Sequence, residues 1–144
     1  MDERLRRVLI LDSDPDCLTR LQRVLEDAGI DTTITCDKTE ACQRLESQRF
    51  DLIVIGDHPP EVDSAAILDD LSLRGTCPPV LILQSVVREN DIQYFGWRGA
   101  IGVVSKGNPL TVRDQVAKAL SSLRLRSRAS EAGSLENRSW RVAS

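Results

Sequence analysis

The sequence predicts an α/β fold built on a doubly wound parallel sheet, and three observations carry that prediction. Val8-Leu9-Ile10-Leu11, Leu52-Ile53-Val54-Ile55 and Val80-Leu81-Ile82-Leu83 are short unbroken apolar runs, the composition of strands buried on both faces. Stretches with apolar residues at helical spacing alternate with them. The connections are short, and several open on an Asp or Asn set to cap the helix that follows. Five strands alternating with five helices in this way imply right-handed crossovers and helices on both faces of the sheet.

The first strand is Arg7–Leu11. Asp14 followed by Pro15 reads as helix cap and first helical residue, because proline lacks only an N–H that has no partner there. Leu18, Leu21, Leu25 and Ala28 give the first helix its stripe, and Gly29 stops it. Thr32-Thr33-Ile34-Thr35 is more polar and suits a strand at the sheet edge. Asp37 with Glu40 three residues on has the pattern of a capping box, opening a helix through Leu45. The central strand Asp51–Ile55 follows, then Pro59-Pro60 and a helix capped by Asp63, carrying Ile67, Leu68 and Leu71 and closing near Gly75. Pro79–Leu83 is the fourth strand, ending at Gln84-Ser85. Residues 89–98 form a weaker helix with Ile92, Phe95 and Trp97, and Gly102–Lys106 is the fifth strand. Asn108-Pro109 repeats the cap-then-proline device before a last helix striped by Val112, Val116, Ala119 and Leu123.

At 144 residues, with 41% hydrophobic and 28% charged, the chain suffices for one domain with a real core. That domain is expected over residues 1–126. Residues 127–144 are Ser/Arg/Glu/Gly-rich and aperiodic, with an isolated Trp140, and read as a disordered tail or linker. The formal net charge is −3, yet five arginines from Arg124 to Arg141 outweigh Glu131 and Glu136, so the acidic excess lies in the globular part. An acidic body argues against nucleic acid as this domain's partner. No apolar run is long enough to span a bilayer and the amino end has no apolar signal core, so the expectation is a cytoplasmic protein without membrane contact. Cys17, Cys36, Cys42 and Cys77 form no CxxC pair and read as reduced, mostly packed thiols rather than disulfide or zinc ligands.

Folds of this class place their chemistry at the carboxyl ends of the strands. Here those ends deliver Asp12, Ser13 and Asp14; Gly56 and Asp57; Gln84 and Ser85; and Lys106. The segments "VLILDSDP", "DLIVIGDHPPEVDS", "PVLILQS" and "GAIGVVSKGNPL" resemble, in that order, four motifs of the receiver domain of bacterial two-component response regulators. They are its first-strand acidic motif, phosphoacceptor strand, fourth-strand hydroxyl motif and fifth-strand lysine segment. The resemblance runs from Arg7 to Leu123. It implies a flavodoxin-like (CheY-like) fold with strand order 2-1-3-4-5, and phosphoryl transfer from a histidine kinase to an aspartate with Mg²⁺. In that chemistry a carboxylate attacks phosphorus while carboxylates hold the hard cation. Metal and ammonium neutralise the transferred oxygens, and a hydroxyl at the end of the fourth strand then reports the phosphoryl group.

Matched position by position, much of that equipment is missing. Asp12 matches the first acid of the pair, but Ser13 stands at the second and Gly56 at the nucleophile. Asp51 before it and Pro60, Asp63 and Ser64 after it hold the register without a gap. Gln84 replaces the switch hydroxyl, with Ser85 adjacent, and Gly107 stands where a proline usually follows the matching Lys106. The resemblance thus implies a degenerate, or pseudo-, receiver: a signalling module acting by protein–protein interaction, not an enzyme, with no catalytic residue and no cofactor.

Asp57 lies one residue past the nucleophile position and by default points away from the pocket or into the loop, since one residue along a strand reverses side-chain direction. The alternative is a divergent but functional phosphorelay regulator phosphorylated on Asp57, with Mg²⁺ held by Asp12, Asp14 and Asp57 and a bulge at Gly56 re-aiming the side chain. Without such a role Asp14 is a helix cap, Asp57 a solvated carboxylate, and Lys106 pairs with Asp12 or Asp57. His58 is the one histidine and is read as exposed. Implied partners are a histidine kinase, an output domain or another regulator, with homodimerisation through the face of the fourth helix, fifth strand and fifth helix. Tyr94, Phe95, Trp97 and Arg98 are candidate contacts there, against the reading that Phe95 and Trp97 are core; Val103 stands where many receivers carry a switch aromatic. A rival from another class takes "LILDSDPD" as the DxD opening of a haloacid-dehalogenase-type phosphatase using Asp12 and Asp14. It needs a final acidic motif, for which only Asp114, within a helix, is available.

Overall fold

Strands β1 (Arg7–Leu11), β2 (Asp31–Thr35), β3 (Leu52–Gly56), β4 (Val80–Gln84) and β5 (Ala100–Ser105) form one five-stranded sheet in the order β2-β1-β3-β4-β5. Every pairing in it is parallel. Helices α1 (Pro15–Asp27), α2 (Lys38–Ser47), α3 (Ser64–Leu73), α4 (Glu89–Trp97) and α5 (Pro109–Glu131) connect and follow them. This CheY-like arrangement is the one the resemblance implies. The computed structural model describes residues 6–75 and 77–131, and side chains as far as Leu123.

The period-2 alternation of each strand sorts its side chains into two layers. Leu9, Leu11, Ile53, Ile55, Val80 and Ile82 pack with Ala41 of α2, Ile67, Leu68 and Leu71 of α3, and Phe95 of α4. Val8, Ile10, Leu52, Val54, Leu81 and Leu83 pack with Leu18, Leu21 and Leu25 of α1 and Val112, Val116 and Leu120 of α5. Leu120 is the buried residue that the sequence stripe of α5 missed; Ala119 and Leu123 only flank the core.

The helix caps fall largely where the residue types place them. Asp14 accepts from Asp16 N at 3.0 Å, Asp63 from Ala66 N at 3.2 Å, and Asn108 from Leu110 N at 2.9 Å. Gly29 ends α1 with φ +85, the left-handed conformation that glycine adopts without steric cost. The capping box expected at Asp37 and Glu40 is only half formed. Asp37 caps Thr39 N, but Thr35 Oγ1 receives the Asp37 N–H and donates to Glu40, drawing that side chain off the box. Conversely, Asp91 reaches back to accept from Arg88 N at 2.9 Å, starting α4 more firmly than its weak pattern suggests.

Several boundaries shift by one or two residues, two of them at the site. β3 keeps Gly56 inside the strand, opposite Leu83 of β4, and β5 begins at Ala100 and ends before Lys106. α5 continues through Glu131, past the domain end expected at 126; residues 132–144, with Trp140, lie outside the described residues. The thiols are less packed than expected, with Cys36 and Cys77 exposed and only Cys17 and Cys42 partly buried.

Candidate functional site

At the carboxyl edge of the sheet the two layers hold two separate constellations. Asp12, next after β1, falls on the α1/α5 side and is completely buried. Its Oδ1 accepts from Asp14 N at 2.9 Å, and its Oδ2 accepts from Lys106 Nζ at 2.9 Å. Lys106 is placed for this by its own N–H, which donates to Gln84 O at 3.0 Å just past the end of β5. Cys17, one turn into α1, adds a thiol 3.7 Å from Asp12 Oδ2. Burial, then the neighbouring Asp12 carboxylate, pushes that thiol from 9.0 up to about 11.

Asp12 lies directly over Gly56. A Cβ at Gly56 would stand 2.6 Å from Asp12 Cγ and closer still to Oδ2, so any side chain there requires the Asp12 carboxylate to move. The φ of Gly56 is not positive, so space rather than backbone torsion is what opposes a side chain here. The carboxylate expected from residue 56 has its volume occupied by the carboxylate of residue 12, already paired with the lysine.

Asp57 faces the other layer, as a one-residue step along the strand requires. Its N–H extends the β3–β4 ladder by donating to Leu83 O at 2.8 Å, which sets it beside Gln84. Asp57 Oδ1 accepts from Ser64 N, the first residue of α3, at 3.2 Å, and Oδ2 accepts from Gln84 Nε2 at 3.3 Å. No bulge at Gly56 re-aims it, since the β3–β4 register runs unbroken through that residue. Gln84 Oε1 and the hydroxyl of Ser64 are buried without a hydrogen-bond partner.

The three carboxylates named for Mg²⁺ therefore diverge: Asp12 holds Lys106, Asp14 caps α1 from the surface, and Asp57 bridges α3 and β4. Among the described residues no three acidic, histidine or cysteine side chains are grouped to hold a metal. With an ammonium on the one fully buried carboxylate, this donor set does not fit the divalent cation that the resemblance implies. Ser13 is partly buried and Ser85 exposed. His58 is exposed and lies 3.1 Å from Glu61. Asp114 is paired with Arg113 out on α5, and Asp14 points to α1 rather than joining Asp12, so the phosphatase constellation is not assembled.

On α4 the candidate contacts divide. Phe95 is core at 3% exposure, whereas Trp97 is 83% exposed and Tyr94 half exposed. The Arg98 guanidinium pairs with Asp69 of α3 at 2.6 Å and lies 4.8 Å over the Tyr94 ring. Val103 packs partly buried against the α2/α3/α4 core. Cys17 and the Ser64 N–H belong to the site without having been named for it. Their signal was spacing, one turn after a helix-capping acid and directly after another.

A family model for the response regulator receiver domain matches residues 8–120, and the chain belongs to that family. Among characterised relatives, a two-component response regulator of Oryza sativa subsp. indica is 33% identical over 92 residues, 62% of this chain and 13% of that protein. The alkaline phosphatase synthesis transcriptional regulatory protein PhoP of Bacillus subtilis (strain 168) is 26% identical over 132 residues, 92% of this chain and 54% of the relative. The chain thus spans about half or less of these relatives. The receiver domain protein of Methanospirillum hungatei JF-1 superposes with TM-score 0.75 at 18% identity, covering 85% of this chain and 99% of that one. The Francisella response regulator 1452 receiver domain gives 0.73 at 24% identity, covering 85% and 98%. These two likenesses bear on the fold alone.

Proposed function

We propose that this two-component receiver domain signals through protein–protein contact without taking up a phosphoryl group. One observation carries the reading: the Asp12 carboxylate fills the space above Gly56 and is held there by Lys106. The nucleophile is absent, its volume is occupied, and the ammonium that would steady a transferred phosphoryl group is already neutralised by a carboxylate. Asp57 does not inherit the role, because both its oxygens accept hydrogen bonds on the far side of the sheet edge.

In such a module the output face is set by packing and by partners rather than by modification, because only a ligand that binds two states unequally shifts their balance. We assign contact with a cytoplasmic protein partner (a kinase, an output domain or a second regulator) to the corner of α4, where Trp97 and Tyr94 are exposed. Beryllofluoride with Mg²⁺, which mimics an acyl phosphate, tests the reading by amide NMR. The expected result is no shift at Asp12, Asp57, Ser85 or Lys106 at millimolar ligand. Saturable shifts abolished by Asp57→Asn would overturn it in favour of phosphorylation on Asp57.

A further inference from the structure

We propose that the Gln84–Asp57 hydrogen bond is a standing latch which fixes the β4–α4 loop, and with it the start of α4, without any phosphoryl group. The proposal deepens the reading above and rests on it. Its basis is the α3/α4 side of the sheet edge, where Asp57 Oδ1 is bound to the first N–H of α3 and Oδ2 to the side chain ending β4. One carboxylate thereby ties the β3–α3 connection to the departure point of the next loop.

Gln84 is held from three directions. Its strand pairs with β5 at Ser105, its carbonyl receives the Lys106 N–H at 3.0 Å, and its amide nitrogen donates to Asp57. The amide oxygen is buried with no partner, so the side chain keeps its nitrogen on Asp57 while its other end goes unsatisfied. Turning the amide over would set oxygen against carboxylate and break the bond, so the nitrogen-to-carboxylate orientation is the one that holds the latch closed. Beyond Gln84 only residues 85–88 precede α4, so the position of this side chain passes to the helix through a short connection. The Lys106 ammonium and Asp12 take no part in the latch, lying in the opposite layer on the α1/α5 side. Gln84 is a positioning residue here.

Amide hydrogen exchange on the full chain tests it, comparing the native protein with Gln84→Ala, Asp57→Ala and the double variant. Gln84→Ala is expected to speed exchange over residues 85–97 by about tenfold while β1 and α1 keep their protection. Asp57→Ala should give the same pattern, and the double variant should add nothing to either single. Unchanged exchange over residues 85–97 in Gln84→Ala overturns the latch, and so does loosening spread evenly across the sheet, which would mark a merely structural role. If Asp57→Ala does not fold, Gln84→Leu, which keeps bulk and removes the amide, decides on the same criterion. Beryllofluoride added to the native protein separates the two readings. A response to it overturns the unphosphorylated pocket, and the latch is then judged on exchange without the ligand. No response together with unchanged exchange in Gln84→Ala overturns the latch alone.

Discussion

Lys106 Nζ stands 2.9 Å from Asp12 Oδ2 across 94 residues of sequence, joining the end of β5 to the end of β1 beneath the last turn of chain before α1. The carboxylate is fully buried and the lysine side chain is 15% exposed, so neither charge is fully hydrated. Lys106→Met strands a buried carboxylate, and we expect it to lower unfolding free energy by about 3–5 kcal/mol in urea titrations. Asp12→Asn combined with Lys106→Met should cost clearly less than Lys106→Met alone. An equal cost would show that the pair is not what satisfies Asp12.

Gly56→Ala adds one methyl where Asp12 already stands, and it should lower stability by roughly 1–3 kcal/mol through overpacking. Moving the carboxylate, by Asp12→Ala with Gly56→Asp, should recover most of what Gly56→Asp alone loses. Thermal melts of the three variants check this, and an additive double variant would refute the steric account.

Cys17 gives the protein an alkaline weakness of defined sign. Its folded value, about 11, lies above the ordinary 9.0 of the unfolded chain, so the native state holds the proton longer. Its contribution is fully present below pH 9.0 and is lost as pH rises towards about 11. Replacing it, by Cys17→Ala, should flatten the stability profile across that window. Alkylation at pH 8 should reach exposed Cys36 well before Cys17, and Asp12→Asn should speed the reaction of Cys17 by removing a neighbouring negative charge.

Phe95 and Trp97, two residues apart, should behave oppositely. Phe95→Ala empties a core position and should cost about 3–5 kcal/mol. Trp97→Ala should stay within about 0.5 kcal/mol of the native protein in a melt. If α4 is the contact corner, Trp97→Ala should nevertheless weaken partner binding, read by titration calorimetry against a cognate kinase or output domain.

The sequence was informative wherever a local rule had no competitor. Unbroken β-branched runs gave the strands, and acid-then-proline or asparagine-then-proline gave two of the caps. Glu40 was misread because Thr35, at the end of the neighbouring strand, offers it a better partner than the box does. Residues 89–98 have too weak a stripe to tell which aromatic faces inward, so the burial of Phe95 and exposure of Trp97 had to come from packing. At the site, strand parity has Asp57 pointing away from the pocket or into the loop, while leaving open whether Lys106 pairs with it or with Asp12. In the structure Lys106 pairs with Asp12, and Asp57 binds Ser64 N and Gln84 Nε2. What parity could not supply was the occupation of the space at Gly56, because that depends on a carboxylate from β1 meeting a lysine from β5, with β3 and β4 between them. Gln84 was read as a lost hydroxyl rather than as a donor to Asp57 for the same reason.

The crowding above Gly56 also binds two codons together. Aspartate introduced at position 56 meets a filled site, whereas removing Asp12 first deprives Lys106 of its counter-charge. Each single step towards a carboxylate at position 56 is therefore uphill, and more so than the two steps taken together. The two positions are thereby coupled: what can stand at residue 56 depends on what stands at residue 12.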